Sequence, residues 1–249
     1  MNILAIGGGD KRLAMEAALE GLSSEQNLVT IIPTACSTIG SYNTNIPKVT
    51  QFFTELGLKT EVLHDFREVP SEDKIADLLG RSSMLYTIGG NTPYALEQFA
   101  KTNIREVLKK ALLTTDVIHA GAGTGALLPF ELMHSNPEKT PKSKLWTFAM
   151  LEGLGLLPGV ATVHAELHDP IPGDTVLPYS RLQHLASHFP DSQEFGIGID
   201  SGAAVILGNN AQIVRTKPEA RVHFLQRSND GFVSAEHVDD ISQLRQFAV

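Results

Sequence analysis

The chain has 249 residues, 42% of them hydrophobic, with 20 lysines and arginines against 28 acidic residues, which suits one α/β domain over residues 1–249 with a substantial core. A net charge of −8 without a basic run excludes nucleic acid and an anionic membrane surface as natural partners and favours a small molecule or peptide. The single cysteine, Cys36, excludes an intrachain disulfide framework, and the apolar start before Asp10 is too short for a secretory signal or a membrane span, so a soluble cytoplasmic protein is expected.

In chain order, "NILAIGG" and "LVTIIPTA" read as buried parallel strands. "KVTQFFTELG" follows with helical spacing and a closing glycine, so the chain opens as a βαβ unit. Next come a strand in "KTEVLHDF", a capped helix in "SEDKIADLLGRS", a strand into a turn in "SMLYTIGGN" and one long helical region in "TPYALEQFAKTNIREVLKKALLT". "VIHAGAGTGALLPF", Val117 to Phe130, repeats strand, glycine turn and helix. Beyond it "NPEKTPKSK" is a polar loop, "LEGLGLLPGVATVHAELHDPIPGDTVLPY" holds too many Gly and Pro residues for a long helix, and "SRLQHLASHF" is helical again. "EFGIGIDSGAAVILGNNAQIVR" alternates as a hairpin does, with Gly208-Asn209-Asn210 at the turn. The order predicts an α/β fold with a mostly parallel sheet, helices on both faces and antiparallel strands near the C-terminus.

Ligands of such sheets bind beyond the carboxyl ends of the strands. That rule brings together three glycine turns: Gly7-Gly8-Gly9, Gly89-Gly90-Asn91-Thr92 and the turn at Gly123. The first lacks the third glycine of G-x-G-x-x-G and is followed by cations, so a close-packed turn is expected there rather than a nucleotide site. The third, Gly121-Ala122-Gly123-Thr124-Gly125, has the spacing of the G-x-S-x-G nucleophile elbow with glycine at the serine position. Cys36, at a strand end without a recognisable partner, reads as a buried structural thiol. His119, on the strand before the elbow, reads as a core histidine. The cluster His164, Glu166, His168 and Asp169 matches neither H-E-x-x-H nor a helical pattern and runs into Pro170 and Pro172, so neither a metal nor a cofactor is expected.

Taken together, "IIPTACS" with Tyr42, "IGGNTPYAL", "GAGTGA", "LEGLGLLPGVATVH", the arginine of "SRLQHL" and "GIGIDSGAAVIL" resemble, in order and spacing, the dipeptidase E and cyanophycinase family of serine peptidases. The resemblance covers most of the chain. It implies a fold related to class I glutamine amidotransferases and metal-free hydrolysis, by a serine with a histidine base, of peptides with acidic residues or of cyanophycin.

Carried over position by position, the family serine falls on Gly123, so the nucleophile is absent, and the family histidine falls on His164. The acid that orients the histidine in some members follows "GIGID", at Ser201. Asp200 beside it and Glu138 in the polar loop are the available substitutes, and the sequence chooses neither. The oxyanion donors fall on the backbone N–H groups of Gly90 and Thr124, and Gly89, Gly90 and Asn91 form the implied ligand-binding turn. The Thr124 side chain stands about a third of a helical turn from the tip, so capping or packing is its expected role. The resemblance therefore implies a family homologue impaired in catalysis that retains a cleft for a small acidic peptide or amino-acid-like ligand, with a homodimer as a possible assembly. The alternatives are an active hydrolase of acidic peptides working through Thr124 or a water activated by His164, and an engineered variant whose nucleophile was replaced.

Overall fold

The first half of the chain alternates strand and helix as its apolar runs require. In the computed structural model, which describes residues 2–20, 27–136, 148–168, 170–171, 175–176, 179–208 and 211–247, β1 (Asn2–Ile6), α1 (Arg12–Leu19), β2 (Leu28–Ile32), α2 (Ile39–Glu55) and β3 (Lys59–Val62) come first. They are followed by α3 (Glu72–Arg81), β4 (Met84–Thr87), α4 (Thr92–Lys101), α5 (Ile104–Thr114) and β5 (Ile118–Ala122). Strands β1, β5, β4, β2 and β3 lie side by side in that order, all parallel. Helix starts follow local chemistry. Thr38 and Ser41 form a reciprocal capping box on α2, Ser71 accepts from the Lys74 N–H on α3, and Asn91 accepts from the Tyr94 N–H on α4.

The long helical region splits in two at Thr102, which is extended (φ −128°, ψ 161°). Its hydroxyl donates back to the Gln98 carbonyl at 3.0 Å, a local bond that competes with helix continuation. The break lets α5 pack Ile104, Leu108 and Leu112 against Ile75, Leu78 and Leu79 of α3.

After β5 the chain makes a tight turn into α6 (Thr124–Leu127), then β6 (Phe130–Ser135), β7 (Ala149–Glu152), β8 (Leu157–Val163), β9 (Pro170–Ile171) and β10 (Thr175–Val176). It continues through α7 (Arg181–Ser187), β11 (Phe195–Ile199), β12 (Ala203–Leu207), β13 (Gln212–Arg215), β14 (Val222–Arg227), β15 (Val233–Val238) and a 3-10 segment, Ile241–Phe247. The α/β class and the antiparallel C-terminal strands are as expected, but the strands divide between two sheets. β12 and β13 extend the first sheet antiparallel beside β1, whereas β15, β14, β11, β8, β6 and β7 form a second sheet in that order. The Gly- and Pro-rich stretch supplies the end of β7 and all of β8, β9 and β10. The expected hairpin is β12 and β13, with Asn209 and Asn210 of its turn outside the described residues, while "FGIGI" of β11 belongs to the second sheet, parallel to β8.

Both faces of the first sheet are covered over its inner strands, which is why those strands are buried along almost their whole length, unlike the edge strands β3 and β13. Ile3 and Ala5 of β1 and Val205 and Leu207 of β12 point into a core shared with Met133, Ala161, Val163, Ile197 and Val222 of the second sheet. Leu4 and Ile6, on the other face, pack in a cluster with Met15 of α1 and Phe53 of α2. Each such side chain contributes about 1.5–3 kcal/mol when fully buried.

The two sheets are stitched at one end. The chain leaves β11 and enters β12 through Asp200-Ser201-Gly202. There the Gly7 N–H donates to the Ala203 carbonyl at 2.9 Å, the Gly202 N–H to Gly8 at 2.8 Å and the His164 N–H to Gly7 at 3.2 Å. These bonds bring the end of β8 in the second sheet against the end of β1 in the first.

Candidate active site

The turn between β5 and α6 is held by close approach. A Cβ on Gly121 would lie 2.3 Å from the Gly125 carbonyl carbon, one on Gly125 would lie 2.1 Å from the Thr87 oxygen, and one on Gly89 would lie 2.4 Å from the Ala122 oxygen. Gly123 differs. The nearest atom to a Cβ there is Gly89 Cα at 3.6 Å, so a side chain has room. Its backbone is what favours glycine, at φ 59° and ψ −126°, a region that costs other residues about 1–3 kcal/mol.

Thr124, one residue on, is buried and turned away from the tip. Its hydroxyl donates to the Gly90 carbonyl at 2.9 Å and lies 2.8 Å from the Thr92 hydroxyl, which in turn lies 2.8 Å from that of Ser135. With one proton per hydroxyl, the chain runs Ser135 to Thr92 to Thr124 to Gly90. Thr124 thus contributes to packing and to fixing the Gly90 carbonyl.

His164 follows β8 with φ 53°, a left-handed backbone that points its ring at the turn after β1. A Cβ on Gly8 would lie 2.2 Å from the ring's Cε1, so the second glycine of "GGG" makes room for this imidazole. His164 Nδ1 is 2.9 Å from the Ser201 hydroxyl, and the Ser201 N–H donates to Glu166 Oε2 at 3.0 Å. The Asp200 carboxylate is engaged elsewhere: one oxygen lies 3.0 Å from His223 Nε2 and the other accepts the Arg221 N–H at 2.9 Å. Of the two substitute acids, Asp200 is thus committed to other partners and Glu138 lies outside the described residues.

Gly123 and His164 line one cleft of about 430 Å³, together with Gly89, Gly90, Lys11, His134, Phe148 and Arg181. Asn91 is held as the cap of α4. Sequence reasoning missed Lys11, His134 and Phe148 among these wall residues, and used Arg181 only as a mark of the resemblance. His134 sits at a buried position of β6, bonded to the Thr162 hydroxyl at 3.1 Å and to His184 Nδ1 at 3.0 Å, with its ring stacked 4.7 Å from that of Phe148. Burial, reinforced by His184 and Arg181 nearby, pushes its pKa down to about 3, so the ring is neutral near pH 7. Arg181 lies over the Phe148 ring at 5.0 Å, and Lys11 donates to the Tyr86 hydroxyl at 3.1 Å. A histidine at an inward position of "FELMHS" and an arginine opening a capped helix were the available signals. Among the described lining residues there are two cations and no carboxylate.

The remaining candidates lie away from this cleft. His119 is fully buried in β5, 3.1 Å from the Thr87 hydroxyl, and burial pushes its pKa down to about 4. Cys36 is buried, and burial pushes its thiol up. Among the described residues no three metal-ligating side chains converge. Asp169 lies outside those residues. No described helix is long and apolar enough to cross a membrane.

The family model of peptidase family S51 matches residues 3–214. Among solved structures, the chain is similar to a peptidase from an acI-B1 Actinobacterium, with 17% identity, a TM-score of 0.62 and coverage of 96% of this chain and 95% of that one. It is also similar to a candidate peptidase E protein from Listeria monocytogenes EGD-e, with 19% identity, a TM-score of 0.62 and coverage of 87% and 98%. These likenesses support the fold. No curated protein matches the sequence at a significant level.

Proposed function

We propose that this chain, which belongs to peptidase family S51, is a catalytically impaired member that binds a small acidic peptide or amino-acid-like ligand between Gly90, Gly123 and His164. The observation that carries this reading is a formed elbow with no hydroxyl at its tip: Gly123 holds φ 59° and ψ −126° where the nucleophile would stand. Loss of a triad serine lowers turnover on the order of 10⁶-fold. Thr124 is a poor replacement, since its proton goes to a carbonyl and its oxygen faces another hydroxyl rather than a base. At His164 a neutral hydroxyl meets Nδ1, which orients the ring without stabilising an imidazolium as a carboxylate does.

The ligand class follows from charge. A cleft walled by Lys11 and Arg181 in a chain of net charge −8 attracts carboxylates, and a guanidinium gives them charge-assisted hydrogen bonds. Calorimetric titration with aspartyl dipeptides, alongside an assay for released amino groups, tests the reading. Binding without turnover is expected. Arg181→Ala should weaken binding about tenfold or more, as befits a charged hydrogen bond worth about 1.5–3 kcal/mol. Steady turnover abolished by Thr124→Val would replace this reading with an active threonine hydrolase, and failure of every acidic dipeptide to bind would remove the ligand assignment.

A further inference from the structure

Away from the cleft, two histidines face each other on the edge of the second sheet. His223 on β14 and His237 on β15 are direct partners in the antiparallel ladder. Their Nδ1 atoms lie 3.2 Å apart and their ring centroids 4.9 Å apart, with the planes inclined at 54°. His223 is buried at 7% exposure, and its Nε2 lies 3.0 Å from Asp200 Oδ1. His237 is exposed.

We propose that His223 and His237 form a binding site for a borderline divalent transition ion such as Zn²⁺, Ni²⁺ or Cu²⁺, with water completing the coordination. Two imidazole nitrogens on a tetrahedral ion at about 2.0–2.1 Å each are about 3.3–3.4 Å apart, so the observed 3.2 Å separation suits a shared ion once the exposed His237 ring turns its Nδ1 toward it. The carboxylate behind His223 is the outer partner that metal-bound histidines use. It holds the N–H on Nε2 and leaves the Nδ1 lone pair facing His237. In the metal-free protein that lone pair accepts the Nδ1 proton of His237. On binding, that proton moves to the Nε2 of His237, which frees a second lone pair without net proton release.

The backbone of the site is already ordered, because Val222–Arg227 pairs with Val233–Val238 along the whole of both strands. Two imidazoles select borderline ions over Ca²⁺ or Mg²⁺, which take oxygen ligands. Another close imidazole pair, His134 and His184 at 3.0 Å, lies near the Arg181 guanidinium, whose charge opposes protonation of His134 and would equally repel a metal cation.

The experiment is metal counting on the full chain. Chelator-stripped protein and the exposed-site variant His237→Ala, its fold checked by circular dichroism, are dialysed against Ni²⁺ and the bound metal is measured. The variant should hold one equivalent less than the unchanged protein. In a Cu²⁺ titration, the unchanged protein should show electron paramagnetic coupling to two imidazole nitrogens, and His237→Ala should lose that signature. Equal metal content in the two proteins, or a two-nitrogen signature that survives in His237→Ala, overturns the proposal.

Discussion

At Gly123 space and backbone conformation point in opposite directions. The space beside it admits a side chain, with the nearest atom 3.6 Å from a Cβ, while φ 59° disfavours one. Gly123→Ser is therefore expected to fold, to cost about 1–3 kcal/mol in urea unfolding through backbone strain, and to react slowly with a fluorophosphonate probe. Adding Ser201→Asp places a carboxylate where a hydroxyl now meets His164 Nδ1 at 2.9 Å, so the double variant should label faster than the single one. Mass spectrometry of the labelled protein measures both rates. A folded double variant that never labels would mean that more than the nucleophile has diverged, and the binding reading would then stand with no latent enzyme beneath it.

Among elements, the two turns that build the cleft depend on glycines for a different reason from the tip. Gly125 has no space, since an added Cβ would sit 2.1 Å from the Thr87 carbonyl oxygen, and a backbone carbonyl in the sheet cannot yield cheaply. Gly80, near the end of α3, has nothing within 4 Å of an added Cβ. Gly125→Ala is expected to destabilise by about 3 kcal/mol or more through overpacking, and Gly80→Ala to stabilise by about 0.5–1 kcal/mol by lowering the entropy of the unfolded chain. Urea midpoints of the two variants decide the matter. A neutral Gly125→Ala would contradict the close contact between the elbow and β4. The spacing of the motif was legible in the sequence, but the division of labour among its glycines depends on β4, whose Thr87 lies far upstream of Gly125.

For the molecule as a whole, the buried histidines set an acid limit. His119 is pushed down to about 4 and His134 to about 3, against an ordinary 6.5, so both rings stay neutral in the fold while the unfolded chain takes up protons below about pH 6.5. The unfolded state then binds more protons, and stability falls as pH drops, by up to about 1.4 kcal/mol per pH unit for each ring, until the depressed values are reached. The loss should be visible between pH 7 and pH 5. His119→Gln, which carries no titrating ring, should be less stable at pH 7 for its disturbed packing yet show a shallower fall. Parallel pH profiles for the two proteins, measured by denaturant unfolding, would show that His119 does not carry this linkage.

Much of the fold was readable from local pattern. The apolar runs of β1, β2, β4 and β5, the cap at Ser71 and the spacing of the Gly121–Gly125 turn follow from side-chain periodicity and backbone sterics, which act over a few residues. The same order of motifs placed the chain in its family. Local pattern did not show that β11 and β12, three residues apart, belong to different sheets, or that Asp200 turns to His223 while Ser201 turns to His164. Nor did it show that His134 and Arg181 wall the cleft, or that His223 meets His237. Those outcomes rest on which strand ends are stitched together and which side chains fill the space between two sheets. They are contacts between residues tens of positions apart, whose partners are chosen by packing once the sheets have met.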